Sequence, residues 1–220
     1  DITAPEVQNV GGIAGYDHSR DYNNVHSSGS IQGRRRVGGL IGRSRDASSD
    51  LNDSYSTADV SVSITSGDAH VGGLVGYSRG NIRRSYFAGS VTATDTNYVG
   101  GIEGGVNNDI ARYVEGSLNT GSVDAGTGSH VGGISGYFYA RSNRFRNNFS
   151  TGDIRGGDRT GGLIGTLYRR NGQSNCMRYN YSVAQVTRAT GGGGANANFG
   201  AMVGRVAVSY THLRAHETTS

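Results

Sequence analysis

The stretches Val71–Gly76 (VGGLVG) and Ser85–Val91 (SYFAGSV) decide how this chain folds. The first phrase recurs along the sequence. Its copies stand at Val10–Gly15, Val37–Gly42, Val71–Gly76, Val99–Gly104, Val131–Gly136 and Thr160–Gly165, with a degenerate seventh at Phe199–Gly204. Successive first glycines are 27 residues (Gly11 to Gly38) to 39 residues (Gly161 to Gly200) apart. Self-similarity at such a period is the signature of a repeat architecture.

The second phrase lies between copies of the first and reads Ile82-x3-Tyr86-x2-Gly89-x-Val91. An apolar residue opens it in most repeats: Leu51, Ile82, Val114, Phe145 and Met177. Each repeat thus holds three short apolar stretches separated by Gly, Asn, Asp and Ser, which are turn residues. The stretches are too short for helices and rich in β-branched and aromatic residues, so they are predicted to be strands.

One repeat of about 30 residues is too small to bury a core alone, but stacked repeats can pair equivalent strands in parallel. The sequence therefore predicts an all-β fold, a parallel β-solenoid (β-helix) of about six coils with 27–39 residues each. The solenoid is expected over residues 10–207, after a lead-in over 1–9.

The glycine pair is the structural centre of each repeat. Its members are Gly11, Gly12, Gly38, Gly39, Gly72, Gly73, Gly100, Gly101, Gly132, Gly133, Gly161 and Gly162. The residue after the pair, such as Leu74, is always apolar and is expected inside. The next residue varies, as Val75 and Glu103 show, and alternation predicts that it faces solvent. The pair itself is expected to form a corner or bulge.

The pattern GGL-(I/V)-G, Asn/Ser-(Tyr/Phe), Gly-x-Val resembles the GLUG motif of bacterial surface proteins, among them IgA-specific peptidases and large adhesin-like proteins. The best matches are Gly72–Gly76 with Ser85–Val91, and Gly161–Gly165. The resemblance covers about residues 10–206. It implies a β-solenoid module on an extracellular or cell-surface protein, and it carries over no catalytic residue.

The two chain ends differ from the repeats. Residues 208–220 contain none of the repeat phrases and resemble a translated sequencing adapter, so they are expected to be a non-biological tail. The chain opens at Asp1 without a signal peptide, which suggests an interior fragment of a longer protein. No run approaches the 18 apolar residues of a membrane span.

The amino-acid composition limits the kinds of site that the chain can form. The chain has 38 glycines, one proline and a formal charge of +4, and all 21 basic residues are arginine. Arginine suits bidentate binding of carboxylate, sulfate or phosphate, although a GC-rich genome gives the same usage. Cys176 stands alone, so it forms no internal disulfide and is expected to be a small core residue.

Several common sites are disfavoured. The phrase VGGLIGR is not a nucleotide loop, because no helix-length pattern follows it. His70 and His130 precede phrases two coils apart, or about 10 Å, too far to share an ion. Asp46, Asp50 and Asp53 could hold calcium loosely but lack the spacing of known calcium loops, and solvated turn acids are the favoured interpretation. The sequence therefore predicts no metal and no cofactor.

An enzyme is also disfavoured, although polysaccharide-active enzymes use β-helices and remain an alternative. The candidate acids do not fall at one repeat position. They are Asp21, Asp59, Glu103 and Asp153. The run Arg34–Arg36 could attract nucleic acid, but a solvated turn explains it better, and no nucleic-acid partner is expected.

Binding is the favoured function. Tyr16, Tyr77 and Tyr137 directly follow the third glycine of alternate copies, and Arg43 takes the same position elsewhere. Together with Arg79 and Arg141 they predict a face that could bind acidic glycans or a host surface protein. The chain would then be a rigid spacer or adhesive rod. The alternative is a filament subunit, because terminal coils offer unpaired strand edges for end-to-end self-association.

Overall fold

The computed structural model describes residues 1–18, 20–105, 112–140, 144–170, 177–192, 194 and 197–209. Its secondary structure in these residues is β throughout. In chain order the strands are β1 (Ile2–Thr3), β2 (Asn9–Gly11), β3 (Ala14–Asp17), β4 (Tyr22–Asn23), β5 (His26–Ser27), β6 (Ser30–Gly33), β7 (Arg36–Gly38), β8 (Ile41–Ser44), β9 (Leu51–Asn52), β10 (Tyr55–Ser56), β11 (Asp59–Val62), β12 (Gly67–Gly72), β13 (Val75–Tyr77), β14 (Ile82–Arg83), β15 (Tyr86–Phe87), β16 (Ser90–Thr92), β17 (Thr96–Gly100), β18 (Glu103–Gly105), β19 (Tyr113–Glu115), β20 (Leu118–Asn119), β21 (Ser122–Asp124), β22 (Val131–Gly132), β23 (Ser135–Ala140), β24 (Arg144–Arg146), β25 (Phe149–Ser150), β26 (Ile154–Gly156), β27 (Thr160–Gly161), β28 (Ile164–Arg170), β29 (Met177–Arg178), β30 (Tyr181–Ser182), β31 (Val186–Arg188), β32 (Phe199–Gly200) and β33 (Val203–Ser209).

Every fifth strand joins the same parallel sheet, and the five sheets together form a β-solenoid, as predicted. Sheets I, II and III begin at β1, β2 and β3 and hold seven strands each; sheets IV and V begin at β4 and β5 and hold six. At about 4.8 Å per strand, seven stacked strands extend about 29 Å.

Equivalent residues of successive coils stack in register. Val71 pairs with Val37 on one side and with Val99 on the other, and Val99 pairs with Val131. All four side chains are fully buried. Because like residues stack on like, the repeats share one continuous hydrophobic core.

Each coil has five strands rather than the three apolar stretches expected, because both repeat phrases bend. In the copy at Val71–Gly76, β12 ends at Gly72 and β13 begins at Val75, so the predicted corner at the glycine pair is confirmed. A Cβ added to Gly73 would lie 2.2 Å from the carbonyl oxygen of Gly101. A side chain at this corner would therefore separate neighbouring coils.

The residue after the glycine pair is buried in the central coils, as predicted. It is fully buried at Leu40, Leu74, Ile102, Ile134 and Leu163. In the terminal coils the same position is open, and Ile13 is 45% and Met202 39% exposed.

The prediction that the following residue faces solvent is wrong. It is buried at Ile41, Val75, Glu103, Ser135 and Ile164. Sheet III is covered on both faces. On one face, Gly76 lies so close to sheet II that a Cβ there would be 2.7 Å from the carbonyl oxygen of His70. On the other, Arg112, which precedes β19, reaches Glu103.

Two residues join sheets IV and V in each coil, and the first of them has left-handed backbone: Asn24, Asp53, Arg84, Gly116, Asn147 and Tyr179. Next to this turn a polar side chain bonds the neighbouring coil. The Asn148 Oδ1 atom accepts a 3.0 Å bond from the Ser117 amide, and its Nδ2 atom donates to the Val114 carbonyl. Asn148 is 1% exposed, so its side chain serves to hold neighbouring coils together.

The chain ends add two facts. Residues 1–9 include β1, which pairs with β6, and the start of β2, so part of the lead-in belongs to the solenoid sheets. Strand β33 runs to Ser209 and pairs with β28, so the first two residues of the segment 208–220 continue sheet III. The remaining residues, 210–220, lie outside the described part of the chain, and so does Cys176.

Candidate binding surface

Two adjacent columns of rings and guanidiniums run along sheets II and III, and we call them the ladder. The sheet II column holds the residue before each buried valine or its equivalent: Asn9, Arg36, His70, Tyr98, His130, Arg159 and Asn198. The sheet III column holds the residue after the last glycine of each first phrase: Tyr16, Arg43, Tyr77, Gly105, Tyr137, Thr166 and Arg205. The glycine corner brings these columns side by side.

At the N-terminal end of the ladder, arginine stacks between tyrosines. The Arg43 guanidinium carbon lies 5.4 Å from the ring centre of Tyr16 and 5.4 Å from that of Tyr77. The Arg36 guanidinium carbon is 5.8 Å from the Tyr77 ring. These are cation–π distances. Tyr16 remains 43% exposed, so this end of the ladder is accessible.

In the middle of the ladder the rings stack continuously. Tyr98 lies between His70, at 4.9 Å, and His130, at 4.7 Å between ring centres. Tyr77 packs its edge against His70 and Tyr137 packs against Tyr98. The intervening tyrosine keeps the two histidines apart.

His130 is held in one tautomer. The Arg159 Nη1 atom lies 2.7 Å from His130 Nε2, and because a guanidinium can only donate, Nε2 carries no proton. The proton is on Nδ1, which donates to the Thr166 hydroxyl at 2.9 Å. Burial, followed by the charge of Arg159, lowers the pKa of His130 to about 4. The ring is therefore neutral at pH 7.

The other buried rings of the ladder are neutral as well. Burial, followed by the charge of Arg36, lowers the pKa of His70 to about 4. Burial raises the pKa of Tyr137 to about 12. The arginines consequently carry the positive charge of this surface.

Part of the ladder backbone is strained. Tyr98, His130 and Arg159 have φ angles of 63°, 60° and 53°, in the left-handed region that costs an L-residue about 1–2 kcal/mol. Residues kept in such a conformation often belong to functional sites.

The predicted binding residues are placed as follows. Tyr16, Arg43 and Tyr77 lie together in the ladder. Tyr137 shares their column but is 8% exposed, and Gly105 separates it from Tyr77. The other two predicted residues are not in the ladder: Arg79 is in the loop between β13 and β14, and Arg141 lies outside the described residues.

Sequence reasoning missed the sheet II column. Arg36, His70, Tyr98 and His130 each directly precede the valine of a first phrase. That shared position was the available signal. The residue types at this position differ, although all of them present a flat π surface.

The candidate calcium ligands contact other groups. Asp50 forms a 2.7 Å ion pair with Arg83, Asp53 pairs with Arg84 at 2.6 Å, and Asp46 bonds Ser48. Within the described residues, no three His, Cys, Asp or Glu side chains are grouped to hold a metal.

The expectation that the candidate catalytic acids fall at different repeat positions is wrong for one pair. Asp59 and the residue preceding β26, Asp153, occupy the same position of sheet I. They are three strands apart, or about 14 Å, beyond the roughly 5–9.5 Å that separates the carboxylates of glycoside hydrolases. Glu103 is buried in its ion pair with Arg112.

The fold and the ladder define a repeat β-solenoid with an aromatic and cationic side. No family model matches the chain, and no solved structure does. It is similar to a segment of halomucin from Haloquadratum walsbyi, with 34% identity over 186 residues that cover 74% of this chain. The chain spans only 2% of the length of that protein. None of the described residues forms a helix long and apolar enough to cross a membrane.

Proposed function

We propose that this chain is a non-catalytic repeat segment of an extracellular or cell-surface protein, where it acts as a rigid spacer with an adhesive side. The main support for the proposal is that equivalent strands of successive coils pair in all five sheets around one core. The similarity to a small part of halomucin supports it, because a module of this kind would occupy a fraction of a long protein. The assignment of the repeats to the GLUG type belongs to the same proposal.

Contacts between coils support rigidity. Asp124 and Arg155 form an ion pair between adjacent strands of sheet I at 2.9 Å, and Glu115 and Arg146 form one in sheet IV at 2.7 Å. Each exposed ion pair contributes little to stability. Here the pairs add to a hydrophobic core that runs continuously from coil to coil. A stack of this kind resists bending because, in the described residues, each inner coil pairs with both neighbouring coils in all five sheets.

Mechanical unfolding tests the spacer. A chain pulled from its two ends should lengthen in steps of about 100 Å, because releasing one coil frees about 30 residues of about 3.4 Å each. A smooth extension at low force, without steps, would contradict a rigid stack.

Surface location can be tested on intact cells of the source organism. Arg34 and Arg35 are exposed in a turn, so trypsin added outside the cell should cut there. An intracellular marker protein should stay intact in the same sample. Peptides from this segment that appear only after lysis would refute the extracellular proposal.

A second function, end-to-end self-association, has its own support. A cavity of about 360 Å³ lies at the N-terminal end of the core, beside Gly12 and Ile31, and one of about 340 Å³ lies at the C-terminal end, beside Val186 and Ala201. Ile2, which also lines the first cavity, and Val186 stand at the two ends of one column of sheet I. The two open ends therefore present equivalent positions, and a second copy could stack on either.

Sedimentation velocity across a range of concentrations tests this filament. Linear oligomers that are lost when Ile13 is changed to aspartate would support stacking through the N-terminal end. A monomer at every concentration would exclude it and leave the spacer unaffected.

A further inference from the structure

Two neighbouring guanidiniums of the ladder lack a carboxylate partner. Among the described residues, Arg36 and Arg43 form no ion pair, whereas Arg83, Arg84 and Arg155 each pair with an aspartate. Both are partly buried, and the Nε atom of each is enclosed without a hydrogen-bond acceptor. Enclosed charged donors without an acceptor are costly, and an incoming anion would relieve that cost.

The local field is positive. Burial lowers the pKa of Arg36, and the charges of Arg43 and Arg35 lower it further. The groups that raise this pKa are the Tyr77 and Tyr16 hydroxyls, and no carboxylate is among them. Asp68 raises the pKa of His70, the next residue of the same column.

The other half of the ladder is different and serves as an internal comparison. There Arg159 is neutralised by Asp158, 3.1 Å away, and bonds His130. The N-terminal half therefore holds the neighbouring pair of guanidiniums at which an anion is favoured.

The tyrosines fix the geometry of the charged groups. Arg43 is stacked between Tyr16 and Tyr77, and Arg36 lies over Tyr77. A guanidinium stacked on a ring keeps the N–H groups along its edge available, and these match the two oxygens of a carboxylate or sulfate. The exposed Tyr16 ring adds an apolar surface beside the charges. Arg45, within 3.5 Å of the Tyr16 hydroxyl, adds a third cation.

We propose that Arg36 and Arg43, held by Tyr16 and Tyr77, form a binding site for a carboxylate- or sulfate-bearing sugar unit of an acidic polysaccharide. The anion would lie across both guanidiniums, and the sugar ring would pack against the exposed tyrosine. This site specifies the adhesive side of the proposed function and rests on it.

Fluorescence anisotropy with the purified full chain tests the site. The probes are labelled oligosaccharides of one length: an oligouronate, a sulfated oligosaccharide and a neutral oligosaccharide, with inorganic sulfate as competitor. The two acidic probes distinguish the source of the anion. We expect at least one of them to bind at physiological salt and the neutral probe to bind at least about tenfold more weakly, because charge-assisted bonds dominate.

A matched pair of variants locates the binding. Changing Arg36 and Arg43 to glutamine should weaken binding at least about tenfold, since both charge-assisted contacts are lost. Changing the adjacent Arg34 and Arg35 to glutamine removes the same charge and should weaken it less than about twofold. Circular dichroism spectra must match the unsubstituted protein. A lysine pair at 36 and 43 should bind weakly, because lysine keeps the charge but not the bidentate geometry.

Three results would overturn the site: equal losses in the two glutamine variants, loss of all binding at physiological salt, or full displacement by inorganic sulfate at the concentration of the sugar. Each would point to diffuse attraction or to a plain anion site. The binding experiment uses purified protein and tests the sugar site, whereas trypsin cleavage on intact cells tests the extracellular location. Either experiment can fail while the other succeeds, so the two proposals are refuted separately.

Discussion

The buried ion pair between Glu103 and Arg112 should make one apolar substitution strongly destabilising. Glu103 is fully buried and Arg112 is 1% exposed. One Glu103 oxygen accepts a 2.7 Å bond from Arg112, and the same oxygen accepts a 2.8 Å bond from the Ser135 hydroxyl. The Arg112 guanidinium also lies over the Phe138 ring at 4.9 Å. In the adjacent coil the same register position is Val75.

Changing Glu103 to valine restores the apolar column but removes the Glu103 carboxylate from the buried Arg112 charge. Removing one partner of a buried pair costs about 3–5 kcal/mol of the free energy of unfolding. Changing Glu103 to valine together with Arg112 to methionine removes both charges. That double variant should lie within about 1 kcal/mol of the unsubstituted protein or be more stable.

Urea unfolding followed by circular dichroism measures the difference, provided that the slopes agree. The matched control is valine at Glu115, whose ion pair with Arg146 is partly exposed and should contribute less than about 1 kcal/mol. If the Glu103 variant is as stable as the unsubstituted chain, the pair is not desolvated. If the double variant is no better than the single one, the loss comes from packing, and the reasoning from the lost ion pair is refuted.

Three further outcomes are expected from unfolding midpoints. Changing Gly73 to alanine should cost about 3 kcal/mol, the upper end of the usual cost of overpacking, since its Cβ would lie 2.2 Å from a backbone oxygen. Alanine at Gly194, where an added Cβ would meet no atom within 4 Å, should be neutral; equal effects would refute the tight corner. His70 and His130 have a pKa of about 4 in the fold and about 6.5 unfolded, so the unfolded chain binds more protons between these values. Stability should therefore be greatest above pH 6.5 and fall by about 2 kcal/mol per histidine at pH 5; tyrosine at both positions should abolish this loss, and an unchanged pH dependence would exclude the two rings as its source. Changing Tyr179 to asparagine should stabilise the chain by about 1 kcal/mol, because Tyr179 is 82% exposed with φ of 54°; a loss of stability would mean that its ring makes a contact of its own.

Much of the fold could be predicted from the sequence because stacking makes the period visible. The valine column, the buried residue after the glycine pair and the corner itself all follow from comparing one copy with the next. The equivalence of Asp59 and Asp153 was available in the same way, since each precedes the last apolar residue of the second phrase. Alternation alone failed at Glu103, because it assumes that a strand has one solvent-facing side.

The candidate site could be predicted only in part. The tyrosines after the third glycine share a residue type, so Tyr16 and Tyr77 stood out. His70 and Tyr98 occupy one repeat position with different side chains, and only stacking makes them neighbours. Whether a tyrosine of the column is exposed, as Tyr16 is, or buried, as Tyr137 is, depends on the residues packed around it.

The sequence by itself determined the repeat, the parallel stacking and the glycine corners, because these depend on residue type at a fixed interval. The tertiary structure alone decided which charges are compensated. Arg112 finds a carboxylate and Arg159 finds Asp158, while Arg36 and Arg43 meet tyrosine rings. The physical reason is that a charge interacts through space over a few ångströms, and winding brings together side chains that the sequence separates by a full coil.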